Sequence, residues 1–125
     1  MFFPGAVKSI SPDGGVGYYT GAGGSVTQLS SSSTGVILNK VCGQILTVAL
    51  TTAAGAEEEF TLTNSVLEST DTISFGTTYA GQGTPAISCK NMANGSCNIV
   101  ITNLSASALN ALVTINFAIV KAKAA

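Results

Sequence analysis

The chain has no histidine and no tryptophan, and its basic residues are lysines without a single arginine. Without histidine, the commonest general base near neutral pH and the usual partner in zinc sites and nucleophilic triads are both missing. Without tryptophan there is no indole face against which a sugar ring would stack. Charge is scarce too: 9% of the residues are charged, against about 25% in ordinary soluble domains. The apolar share, 46%, is ordinary, so Ser, Thr, Gly, Ala and Asn stand where charge would be. A neutral polar surface gives copies little repulsion to hold them apart, and burial against further copies or a host lattice is expected. Lys8, Lys40, Lys90, Lys121 and Lys123 are scattered. Binding nucleic acid by releasing counterions needs clustered cations, so nucleic acid is excluded as a partner.

Long hydrophobic runs are missing as well. Met1-Phe2-Phe3-Pro4 has neither the basic region nor the apolar stretch of a secretory signal, so synthesis in a reducing cytoplasm is expected. Residues 106–120 are interrupted by Ser107, Asn110, Thr114 and Asn116 and fall short of the roughly 20 apolar residues of a membrane helix. No membrane partner is expected. The three cysteines lack the close CxxC spacing of a zinc site. Cys42, in an apolar run, reads as a small core residue. Cys89 and Cys97 flank a short loop, where reduced core thiols are favoured over a hairpin disulfide.

The few groups that carry chemistry are poorly placed to use it. Glu57-Glu58-Glu59 would need further oxygen ligands to hold a cation and reads instead as solvated or edge-strand charge. Nothing orients Glu68 and Asp71 as a glycosidase pair. Glu68 reads as a surface residue, and Asp71 as an acceptor for turn or cap amides. The glycine-rich stretch from Gly14 to Gly24 does not fit GxGxxG in frame and no GK[ST] follows, so it fails both nucleotide-binding patterns. The reading is therefore of a non-enzyme with no catalytic, cofactor or metal residue. Tyr18 and Tyr19 are candidate contact residues, because tyrosine joins apolar area to a polar tip.

The pattern that is present is that of short strands. Residues 1–16 carry no period and contain Pro4 and the turn signal Ser11-Pro12-Asp13-Gly14, so they read as an extended N-terminal arm. Residues 17–125 read as one β-sandwich domain. Alternating runs separated by turn residues recur at intervals of roughly 8 to 14, the rhythm of a sandwich or barrel. The strands are expected at 26–29, 36–39, 44–51, 59–63, 72–75, 86–90, 97–103 and 112–120, with one helical turn at 64–70. In 44–51 the inward face is read as Leu46, Val48 and Leu50. In 97–103 it is Cys97, Ile99 and Ile101, and in 112–120 it is Val113, Ile115, Phe117 and Ile119, the mark of a central strand. Asn94-Gly95 is the strongest hairpin signal. The expected fold is all-β, an antiparallel, jelly-roll-like sandwich of about eight strands.

One ordered series of segments resembles a family of small virion proteins of tailed bacteriophages. It runs through Gly17-Tyr18-Tyr19-Thr20-Gly21-Ala22-Gly23-Gly24-Ser25-Val26-Thr27-Gln28, the Ser/Thr run, Val36-Ile37-Leu38-Asn39-Lys40 to Gly43, and Phe60-Thr61-Leu62-Thr63-Asn64-Ser65. It continues in Thr70-Asp71 and in Ile115-Asn116-Phe117-Ala118-Ile119-Val120-Lys121-Ala122. The chain departs from the pattern in a serine run without a basic residue and in Val41 where proline is expected. The resemblance covers residues 17–122 and implies a β-sandwich module of the phage head or tail surface. It carries over no catalytic residue. The expectation is a capsid decoration or cement protein, homotrimeric, bound to the major capsid protein at the virion surface and made in the host cytoplasm. Its arm would reach neighbours through Phe2, Phe3, Val7 and Ile10. The alternative is a tail-fibre or adhesin module that binds a host glycan or protein, with residues 76–85 and the exposed tyrosines as its contact surface.

Overall fold

The structure, a computed structural model, describes residues 15–123. These form eight strands and no helix: β1 (Gly23–Thr27), β2 (Val36–Ile37), β3 (Cys42–Leu46), β4 (Glu57–Thr63), β5 (Thr72–Thr78), β6 (Pro85–Ala93), β7 (Ser96–Asn103) and β8 (Thr114–Val120). They make a sandwich of two four-stranded sheets, sheet A in the order β1-β3-β8-β5 and sheet B in the order β2-β4-β7-β6. The core sits where alternation predicts it. Val113, Ile115, Phe117 and Ile119 are buried on one side of β8, and Phe60, Leu62, Cys97, Ile99 and Ile101 face them from β4 and β7.

Two pairings depart from the wholly antiparallel expectation: β1 with β3 and β2 with β4 are parallel. Successive strands up to β6 alternate between the sheets. Each crossing reverses the chain, so two crossings bring it back to the same sheet running the same way. Only β6 and β7 join as a hairpin within one sheet, at Asn94-Gly95, where Gly95 takes the left-handed φ of 91° that such a turn requires.

The phase of β3 also differs from the sequence reading. Ile45 and Thr47 point inward, while Leu46 and Val48 are half-buried. Thr47 is tolerated inside because its hydroxyl accepts from the Val113 N–H (2.9 Å) and donates to the Val48 carbonyl (2.7 Å). The same phase turns Gly43 inward and Cys42 outward, so Cys42 is a half-buried residue of the outer face, not of the core. Gly43 is required there, since a Cβ would lie 2.5 Å from the Gly24 carbonyl oxygen and 2.9 Å from Leu38. Residues 64–71 form two successive turns instead of a helical one. Leu67 N–H bonds Asn64 O (3.1 Å) and Asp71 N–H bonds Glu68 O (3.0 Å), while Asn64 Oδ1 takes the Val66 N–H (2.8 Å) that a helix would use.

Both ends of the sandwich are closed by buried amides. At the end of β4, Asn64 Nδ2 donates to the Lys40 carbonyl (2.7 Å), and its main chain bonds the β6–β7 turn at Gly95 (2.9 Å). At the far end of β7, Asn103 Nδ2 donates to the carbonyls of Thr52 (3.1 Å), Ala53 (3.3 Å) and Ser107 (2.8 Å). Its Oδ1 accepts from the N–H (3.1 Å) and hydroxyl (2.8 Å) of Ser105. Gln28 does the same for the serine run, donating to Ser32 O (3.0 Å) and Thr34 O (2.9 Å) and accepting from Val48 N–H (3.2 Å).

Removing the Asn103 carboxamide would leave buried loop carbonyls without a donor, at a cost of about 1–3 kcal/mol. Asn103→Ala is therefore expected to lower the urea midpoint by that free energy without changing the slope. A half-buried control on the outer face of β7, Asn98→Ala, whose amide bonds only exposed or half-exposed side chains, should lose much less; equal losses would show that the Asn103 amide does not hold the loops.

Candidate functional site

The outward faces of the two sheets differ in charge. On sheet B, alternation turns Glu57 and Glu59 of β4, Asn98 and Thr102 of β7 and Lys90 of β6 toward solvent. Lys90 Nζ lies 2.9 Å from Glu59 Oε1, and Asn98 Nδ2 donates to Glu59 Oε2 at 2.7 Å. The hydrogen bond from Lys90, then that from Asn98, holds the Glu59 carboxyl below the usual range. Exposed pairs of this kind contribute little stability.

The outer face of sheet A has no charged side chain on any strand. Pairing registers place Ser25 and Thr27 of β1 beside Gln44 and Leu46 of β3. The same face carries Asn116, Ala118 and Val120 on β8, next to Gly76, Ser74 and Thr72 on β5. The N-terminal end of the described chain lies on this face. Val16, Gly17 and Tyr18 form one wall of an open groove whose other wall is Ala118 and Val120, with Lys121 at its rim. The Tyr18 hydroxyl donates to the Ile119 carbonyl and fixes that wall to β8. Val16 is 75% exposed, Val120 53% and Tyr18 48%, so the groove presents apolar area to water.

Of the residues singled out in the sequence, Tyr18 forms part of this groove. Tyr19 is 76% exposed and begins the turn closed by Ala22 N–H on its carbonyl (3.0 Å). Neither ring is in the core. Phe2, Phe3, Val7 and Ile10 lie outside the described residues. Sequence reasoning missed Ala118 and Val120, although both fall in the outward phase of β8. Residues 79–84 fold back against 103–110: the Tyr79 hydroxyl donates to Gln82 O, and Asn110 Oδ1 accepts from Gln82 N–H (2.7 Å).

The acidic residues are dispersed. Glu58 accepts from Ser32 Oγ (2.9 Å) and Thr52 Oγ1 (3.3 Å), apart from its two neighbours on the other face. No group of three or more His, Cys, Asp or Glu side chains comes together among the described residues. Asp71 takes the role read for it, accepting from Glu68 N–H (2.9 Å) and Ala122 N–H (3.4 Å). It also pairs with Lys121 at 2.6 Å, with its own side chain buried. Glu68 stays at the surface and pairs with Lys121 (2.9 Å) and Lys123 (3.4 Å). This cluster ties the end of β8 to the 64–71 turns. All three thiols are free. Cys89 and Cys97 face inward on adjacent strands, but the register sets Cys89 opposite Ile99, two residues along β7 from Cys97.

No protein-family model, curated protein or solved structure matches the chain. What fold and surface define on their own is a β-sandwich with clamped ends, one charged face and one neutral face.

Two measurements check the electrostatics. The hydrogen bond from Lys121, aided by backbone donors, holds the Asp71 carboxyl below its ordinary range. A folded-state pKa below the unfolded one adds stability that is present above the unfolded value, about 4, and is lost as pH falls through the folded one. The melting temperature should drop as pH falls below about 4, and Asp71→Asn should flatten that drop; an unchanged acid profile would refute the linkage. Burial, reinforced by the neighbouring Cys89, pushes the Cys97 thiol up to about 11, and burial also raises Cys89. With Cys97 about one part in a thousand thiolate at pH 8, a disulfide reagent should titrate at most one thiol quickly in the native protein and the others only on unfolding. Fast reaction of all three would contradict the packing.

Proposed function

We propose that this protein is a structural component of a phage virion, a decoration or cement protein that sits on the assembled head and reinforces it. The observation that carries the reading is the neutral outer face of sheet A, with the N-terminal segment starting on it. A lone domain gains nothing from leaving Val16, Tyr18 and Val120 in water, whereas a repeated unit buries such area against its neighbours at roughly 25 cal/mol per Å². The clamped ends suit this role, because a rigid unit gives up little conformational freedom on docking. The arm residues Phe2, Phe3, Val7 and Ile10 supply anchors, and many weak contacts act together across a lattice. The major capsid protein and further copies of this chain, as a homotrimer, are the partners, and the virion surface is the location.

The test adds purified full-length protein to particles that lack it. Density at regular sites on the head by cryo-EM, and better particle survival on heating, are the expected results. Replacing Phe2 and Phe3 with serine removes about 3 kcal/mol or more of burial and should weaken particle binding at least about a hundredfold. Density on the tail alone, or no binding, would overturn the proposal and favour the tail-fibre or adhesin reading.

A further inference from the structure

The groove on sheet A is open on one side, and the chain that would cover it is not its own nearest segment. Val16 to Tyr18 already form a wall, pinned by the Tyr18 hydroxyl on Ile119. The remaining residues, 1–14, start from that wall. If fully extended, the 12 residue steps from Phe3 to Gly15 would span up to about 40 Å. The four strands of sheet A are only about 14 Å across, and a seven-residue strand is about 23 Å long. A segment of that length is long enough to bring Phe2 and Phe3 beyond the edge of its own sheet and onto a neighbouring copy. The segment is rich in apolar residues, with Lys8 and Asp13 as its only charged side chains, and it matches a face that has none.

We propose that the groove between Val16 and Val120 receives Phe2 and Phe3 from the arm of a second copy. The contact is head-to-tail, arm to groove, and such heterologous contacts close into a ring when the rotation between copies allows it; three copies is the number this reading carries. The inference rests on the arm being an attachment device, as above, and adds the surface that takes it.

The experiment uses full-length chains. Wild type should run as a trimer by light scattering, and Val120→Asp (groove broken, arm intact) and Phe2→Ser/Phe3→Ser (arm broken, groove intact) should each run as monomers. An equimolar mixture of the two variants has one good arm facing one good groove and should give a 1:1 pair of twice the chain mass. Val16→Asp, on the opposite wall, should behave like Val120→Asp, and unchanged melting temperatures show that the variants are folded. Three outcomes overturn the inference. A monomeric wild type means that the groove takes its own arm or none. Full association of either groove variant means that the interface is elsewhere. A mixture that stays monomeric means that arm and groove do not meet between copies. Particle binding is read separately, so a groove variant that fails to trimerise yet still binds heads would spare the cement reading while removing this one.

Discussion

Connections that cross between two packed sheets carry main-chain N–H and C=O groups out of water, and a sandwich can close its ends only if those groups find partners. Most of the long connections in this chain make such crossings, and no helix is there to satisfy its own backbone. With so few charged residues, the chain uses amides: Gln28, Asn64 and Asn103 are each buried, Asn64 and Asn103 donate to carbonyls of connections remote in sequence, and Gln28 donates within its own β1–β2 connection while accepting from Val48 N–H. A carboxamide offers donors and an acceptor without a charge to desolvate. No buried side-chain nitrogen or oxygen among the described residues lacks a partner. These three side chains tie the connections at the ends of the sandwich to one another.

The two faces then differ for a reason that is local to each sheet. Sheet B ends in β6, a long edge strand that carries Pro85, Lys90 and an irregularity, all features that discourage pairing with another chain. Its face has acids on β4 opposite a lysine on β6, and those charges keep it wet. Sheet A has neither device on its outer face. Neutral side chains cost less to desolvate than charged ones, provided that the buried hydroxyls and amides find hydrogen-bond partners, so this face is the easier of the two to bury.

Strict alternation made β7 and β8 legible, because every second residue along the inward face is Ile, Phe or Cys and the intervening ones, Val100 and Val120 apart, are small or polar. Asn94-Gly95 fixed the one hairpin by its need for a left-handed residue. The phase of β3 was not legible: Ile45-Leu46-Thr47-Val48 fits either face by hydrophobicity. The choice is made by Leu38 lying over Gly43 and by the Thr47 hydroxyl meeting Val113, contacts distant in sequence. For the same reason Cys42 looked like core. The parallel edges depend on which sheet each strand joins, and alternation carries no information on that. At the groove, Tyr18 could be singled out by its type, whereas Ala118 and Val120 gain meaning only when the strand order puts residues 16–18 against them.

Neutrality also sets how the proposed attachment through sheet A would respond to its surroundings. Contacts between charges weaken as salt rises, with a screening length of about 10 Å at 0.1 M, and the Lys90–Glu59 side of the molecule is subject to that. Apolar burial is not screened; it is strengthened by excluded salts and weakens on cooling. A unit that docks by its neutral face therefore holds its place across changes of ionic strength that would loosen a charged interface. The charged face of sheet B stays costlier to desolvate. All the charged side chains carried by the strands belong to sheet B, while Lys40, Glu68, Lys121 and Lys123 sit on the connections and beyond the end of β8, so the two outer faces differ before any partner is present.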